Sequence, residues 1–350
     1  MKQLILKIIL LGVLSVTPLV AYNVILDPFS VLRKDFKSMW ICPNERYVKT
    51  DYILRNPAKY DSFLFGSSRV SQIPVEALNR ATGHRYYNMT IVSGVIAENL
   101  KSLKLFLKKN VAIKNVAIGL DYFSFQMLPL ENLVRNVMYP ETLEEKIKFY
   151  YTYLFLEPDS GMLREIKFNG KDAAYDITGT GGYDFIRREE NLTLHPEEHE
   201  AKFKSPVFVI CRSRMDETLG EISEIKKICD ENGIRLLVFM NPGHAFSYLC
   251  DDIAFMNTAR SRLAEITDFW DFSSASSITE NNANYIDIIH FRKMIGAMMV
   301  ERMYNLKGGA PADFGQLVTR ANAAAYLKEV ENKYFAEKKR LNPPCMPCYK

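Results

Sequence analysis

The chain has 350 residues, 48% of them hydrophobic and 25% charged, the balance of a globular protein with a sizeable core. Its formal net charge is only +4 and the basic residues are spread along the chain, so charge marks no nucleic-acid partner. Six cysteines in this length exclude a dense disulfide framework.

The first element is a run from Ile8 to Leu26 without a charged residue, close to the ~20 residues that cross a bilayer. Lys2 and Lys7 precede it, which by the positive-inside bias leaves the N-terminus cytoplasmic and sends the rest of the chain across the membrane. A cleavable signal is the rival, with Leu19-Val20-Ala21 as an imperfect cleavage site. The apolar stretch continues through Val24-Ile25-Leu26, longer than a usual signal core, and favours a retained anchor over 1–28.

Beyond it, short apolar runs at 62–65, 86–89, 116–120, 236–240 and 269–272 alternate with helical patterns at 97–109, 219–231 and 293–304. Continuous apolar strands separated by helices predict an α/β fold with a mainly parallel, five-stranded sheet covered on both faces. Asp230-Glu231-Asn232-Gly233 is a helix stop just before the strand at 236. The rhythm breaks over about 129–206, which is expected as an insertion into a domain spanning 29–310. It holds a helical patch at 141–156, a Gly-rich loop at 179–182 and a charged stretch at 187–199. The remainder, 311–350, is expected as a terminal helix and a Pro/Cys tail. There Cys345-Met346-Pro347-Cys348 follows two prolines, with no helix to lower a thiol pKa, so an inert tail or a local disulfide is expected over a redox centre.

Gly66-Ser67-Ser68-Arg69 comes directly after the strand at 62–65. A turn at the carboxyl end of a strand in an open α/β sheet lies where ligands bind, so Ser68 is placed as a nucleophile, or else simply caps the next helix. Near the other end, Asp287-Ile288-Ile289-His290 sets a carboxylate three residues before a histidine. A hydroxyl needs a base, and the base needs a third group to hold its tautomer. Asp287 and His290 fill those roles; apart from Ser68 they would be a capping Asp and a solvated His.

Taken together, Gly-Ser-Ser after the first strand, Asn88 to Gly94, Gly119-Leu120-Asp121, Asn241-Pro242-Gly243-His244 and the late Asp-x-x-His resemble the ordered blocks of the SGNH (GDSL-like) hydrolase superfamily, in its membrane-anchored bacterial branch related to polysaccharide O-acetylation. The resemblance implies a three-layer α/β/α domain. It also implies a catalytic triad of Ser68, His290 and Asp287, an oxyanion hole from the Ser68 and Gly94 N–H groups, and ester cleavage or acyl transfer on an envelope or exported carbohydrate. Two departures stand out: Asn88 to Gly94 is one residue longer than the usual block, and Asp121 occupies the position of an Asn donor. A carboxylate there would repel an oxyanion, and losing one donor costs about 10²–10³ in rate. Protonation of Asp121, a side chain pointing elsewhere, or donation by Asn241 would each relieve this; otherwise the fold serves as a binding or assembly protein of a polysaccharide machine.

Arg69 is a candidate for binding an acidic sugar or phosphate, and His244 a candidate for lining the same pocket. His195 and His199, at i and i+4, lack a zincin order and are expected in an acidic helix start led by Pro196. No metal or organic cofactor is implied, since triad chemistry needs neither. The expected partners are the membrane, an acylated carbohydrate and envelope proteins; the expected location is the bacterial inner membrane, single-pass, with the domain on the periplasmic side.

Overall fold

A computed structural model describes residues 1–32, 43–129, 136–158, 174–207, 209 and 212–347. Parts of the expected insertion, and Cys42, Cys211 and Cys348, lie outside them.

Helix α1 (Lys2–Leu26) is apolar with mean hydropathy 2.4 over its central window, exposed along most of its length, and long enough to cross a membrane as an anchor or signal. It is followed by α2 (Glu45–Arg55), β1 (Ser62–Phe65), α3 (Val75–Thr82), β2 (Tyr86–Asn88), α4 (Ile96–Lys108) and β3 (Asn115–Leu120). The inserted region contributes α5 (Leu143–Leu154), the hairpin β4 (Ala174–Tyr175) and β5 (Tyr183–Asp184), α6 (Ile186–Leu194) and α7 (Pro196–Lys202). Then come α8 (Met215–Glu231), β6 (Arg235–Met240), α9 (Ala245–Cys250), α10 (Ile253–Ile266), β7 (Phe269–Asp271), α11 (Lys293–Met303), β8 (Gln316–Val318) and α12 (Ala323–Leu341).

The five expected strands pair in parallel, in the order β2-β1-β3-β6-β7. Side chains alternate between two apolar clusters, as the two-residue strand period requires. Phe63, Phe65, Val116, Ile118 and Val238 join one cluster with Leu103 and Phe106 of α4 and Leu219, Ile222 and Ile225 of α8. Leu64, Ala117 and Phe239 join the other with Leu78 of α3 and Ile295 and Met299 of α11. Both faces are therefore dry, which is why the strands read as unbroken apolar runs.

A sixth strand corrects the expected count. β8 adds antiparallel to the edge of β7, with Trp270 opposite Leu317. Three residues bounded by polar loops carry no periodicity, so only pairing to β7 defines it. The C-terminal segment is likewise packed rather than trailing: Val330 and Tyr334 of α12 sit against Tyr248, Leu249 and Ile253. Cys345 bonds Cys250, 95 residues away, which overturns the local Cys345–Cys348 disulfide; Val207 exchanges backbone hydrogen bonds with Pro344 and Met346 beside it.

Two glycines let the first turn seat tightly. Gly66 has φ +145°, and a Cβ there would lie 2.4 Å from Val70 Cγ2 and 2.9 Å from the Gly119 carbonyl. On α11, a Cβ at Gly296 would lie 2.3 Å from the Gln72 carbonyl and 2.8 Å from Ile73 Cα. α11 thus packs directly on the backbone that follows Ser68. Gly296→Ala is expected to cost about 1–3 kcal/mol by overpacking, measured by equilibrium denaturation; an unchanged midpoint would show that α11 can move freely from this turn.

Candidate active site

The parallel strands bring their carboxyl ends to one edge of the sheet, and the chain reverses direction across it between β1 and β3, since β2 lies on one side of β1 and β3 on the other. Such a switch point opens a crevice. The loops after β1, β3 and β6 supply Ser68, Asp121 and Asn241 at this edge. His290 and Asp287 come from a tight loop ahead of α11, closed by the bridge between Tyr285 and Phe291 and by the Ile286 N–H on the His290 carbonyl at 2.8 Å.

Three side chains separated by up to 222 positions meet here. Ser68 Oγ lies 3.0 Å from His290 Nε2. His290 Nδ1 lies 2.9 Å from each oxygen of Asp287, and Oδ1 also accepts the N–H groups of Ile289 at 3.0 Å and His290 at 2.9 Å. Burial pushes the Asp287 carboxyl up, but the His290 bond and charge and the two backbone N–H groups outweigh it and hold the group well below the usual carboxylate range. An ionised carboxylate only accepts, so the proton of the His290–Asp287 contact lies on Nδ1, and Nε2 faces the Ser68 hydroxyl. The direction of the bond chain is set by the acid at its end.

The inserted region contributes two neighbours of the Asp287–His290 pair, Phe185 and Arg188, the second of them from the charged stretch at 187–199. Phe185 meets the His290 ring edge to face at 5.2 Å. Arg188, exposed, reaches Asp287 Oδ2 at 3.4 Å, and its guanidinium lies 5.0 Å from the Phe185 ring centre. The hairpin preceding them is fixed to the sheet through the Asn88 N–H on the Thr180 carbonyl and the Tyr87 hydroxyl on the Ile177 carbonyl.

The expected oxyanion donors are placed unevenly. The Ser68 N–H has no hydrogen-bond partner among the described residues. The Gly94 N–H instead donates to the Ile91 carbonyl at 3.0 Å. Asp121 is buried, accepts from Ser67 Oγ and from Asn241 Nδ2 at 3.1 Å, and forms an ion pair with Arg69 at 3.4 Å. Asn241 therefore gives one of its two amide N–H donors to Asp121.

Both pocket candidates are buried. Arg69 is 1% exposed, paired with Asp121 and stacked 4.6 Å from the Phe123 ring centre, so its charge is satisfied inside the protein. His244 caps α9, Nδ1 accepting the Phe246 N–H at 3.2 Å and Nε2 lying 2.9 Å from Asn282 Oδ1. Desolvation pushes its pKa down to about 4. It lines a cleft of ≈ 330 Å³ with Glu200, Phe203, Lys204 and Asn282, a cleft that none of the three triad candidates lines. His199 turns to the Asn282 carbonyl at 3.1 Å in a helix that begins with Pro196.

No family model matches the chain, and no curated protein matches it either.

The depressed Asp287 has a consequence for stability. A carboxyl with a folded pKa below its unfolded value of about 3.9 stabilises the fold above that value and loses this contribution as pH falls below about 4. The stability excess of the wild type over Asp287→Asn is expected to be full at neutral pH and to shrink below that point, measured by denaturation across the acid range. A pH-independent difference would assign Asp287 a packing role only.

Proposed function

We propose that this protein is a membrane-anchored, extracytoplasmic serine esterase or O-acyltransferase of SGNH-like architecture, acting on acylated carbohydrate of the cell envelope or an exported polysaccharide. The observation that carries the reading is the continuous chain from Ser68 Oγ through His290 to Asp287, at 3.0 and 2.9 Å. The mostly parallel sheet with dry clusters on both faces supports the three-layer arrangement that the reading entails. The apolar α1 behind Lys2 and Lys7, and the Cys250–Cys345 disulfide, support a domain on the oxidising side of a bacterial inner membrane.

In this mechanism Ser68 Oγ attacks the acyl carbon while His290 Nε2 takes its proton. The Ser68 N–H faces the oxyanion, and Asp287 stabilises the imidazolium. Collapse breaks the bond to the sugar oxygen, which leaves with the proton from His290. Water then returns the acyl group as a carboxylic acid, or a second hydroxyl receives it as a new ester. Arg188 and Phe185 form the side of the pocket from which the inserted region can select the acceptor.

A second reading, a binding or assembly protein of a polysaccharide machine, is favoured by the oxyanion side of the site: the Gly94 N–H is engaged in a turn and the Asn241 side chain is held by Asp121. A fluorophosphonate probe separates the two. The esterase reading expects labelling of the wild type and none of Ser68→Ala. It also expects Ser68→Ala to lose at least about 10³-fold of acyl-ester turnover while its melting temperature is kept. Absence of labelling at every pH, with carbohydrate binding retained, would make the protein a binder.

A further inference from the structure

We propose that one face of α5 lies in the lipid interface beside the point where α1 leaves the bilayer, so that the protein touches the membrane twice and the domain is held in a fixed orientation above it. The inference rests on α1 being a retained span.

The sequence of α5 is written for two environments. Thr142 and Glu145 form a capping box that starts it. Phe149 and Tyr153 are buried against the domain, Phe149 stacking on Tyr47 of α2 at 5.0 Å. Leu143, Ile147 and Tyr151, spaced four apart and therefore on one side of the helix, are 75%, 63% and 63% exposed. Three large apolar side chains in a row on a solvated helix face would be a liability in a protein that met only water. Tyr151 packs on Phe155 at 4.7 Å, and aromatic rings of this kind suit the headgroup level.

What identifies lipid as the occupant is the attachment of this helix to α1. Asn23, buried in the last turn of α1, donates to the carbonyls of Leu154 at 3.0 Å and Leu156 at 2.9 Å. The Tyr153 hydroxyl donates to Asp27, which ends α1 in a left-handed conformation and whose Oδ1 accepts the Val31 N–H at 2.9 Å. The C-terminal end of α5 is thus pinned within a turn of Leu26, where the apolar run stops and the bilayer boundary must fall. Val24 and Ile25, 47% and 67% exposed, belong to that same last turn of α1. At ~1.5 Å per residue, twelve residues reach about 18 Å from this point, all of it short enough to lie along the interface as an amphipathic surface helix.

The test uses the full chain in vesicles of phosphatidylcholine and phosphatidylglycerol, with an environment-sensitive fluorescent amino acid placed singly at Leu10 in α1, at Ile147, or at Lys328 on the exposed face of α12. Each variant is first checked for an unchanged melting temperature, and emission is compared in ordinary and bromine-labelled lipid. The proposal expects loss of emission in brominated lipid at Leu10 and Ile147 and none at Lys328. Quenching at Leu10 but not at Ile147 overturns it while leaving the span intact. A blue-shifted but unquenched probe at Ile147 would mean that a second copy or another protein covers the face, and also overturns it. No quenching at Leu10 overturns the span, and the proposal with it.

Discussion

A carboxyl group buried at the end of a strand has to find hydrogen bonds and a countercharge, because leaving it unpaired costs several kcal/mol. Asp121 meets that requirement by drawing in Ser67 and Arg69 from the loop after β1 and Asn241 from the loop after β6. One side chain therefore ties the carboxyl ends of three adjacent strands together beneath the turn that presents Ser68. Asp121 thus acts as a structural tie between these loops. Arg69 is consumed in the same knot, its guanidinium packed on the Tyr122 and Phe123 rings.

The other half of the site is held by independent means. The 285–291 loop closes on itself through backbone pairing, and the Ile288 carbonyl accepts the His244 N–H while Tyr285 donates to the Gly243 carbonyl. His244 is in this way a support behind the loop that carries Asp287 and His290. Its neutral, doubly bonded ring is the state that desolvation favours. Two rigid parts, one built on the sheet edge and one on this loop, meet at the 3.0 Å contact between Ser68 and His290, and α11 locks them by resting Gly296 on the backbone after Ser68. Rigid mutual placement of this kind is what general-base chemistry asks of a scaffold.

The inserted region has two different jobs along its length. Its early helix, α5, grips the end of α1 and turns apolar side chains outward, whereas Phe185 and Arg188, after its hairpin, contact His290 and Asp287. One inserted region therefore contacts both the end of α1 and the Asp287–His290 pair. The disulfide from Cys250 to Cys345 and the α12 packing fix the opposite end of the chain, and neither belongs to an appended tail.

The amino-acid sequence by itself determined the elements whose signal is local. The five parallel strands are apolar on both faces because both faces are covered, so unbroken runs such as Phe63-Leu64-Phe65 and Val116-Ala117-Ile118 betray them; α4, α8 and α11 show a 3.6-residue stripe because each has one dry side. The triad candidates were legible because acid, base and nucleophile require particular residue types next to particular elements, and Ser68, Asp287 and His290 do come into hydrogen-bonding reach. What only the tertiary structure decided depends on long-range partners. β8 exists as a strand because β7 offers an edge, Cys345 chooses Cys250 because α12 carries the chain back to α9, and the Gly94 N–H closes a turn on the Ile91 carbonyl. The direction of the Asp121 side chain and the burial of Arg69 follow the same rule, since a polar side chain turns toward whatever partners the fold brings beside it, and no local pattern records which those will be.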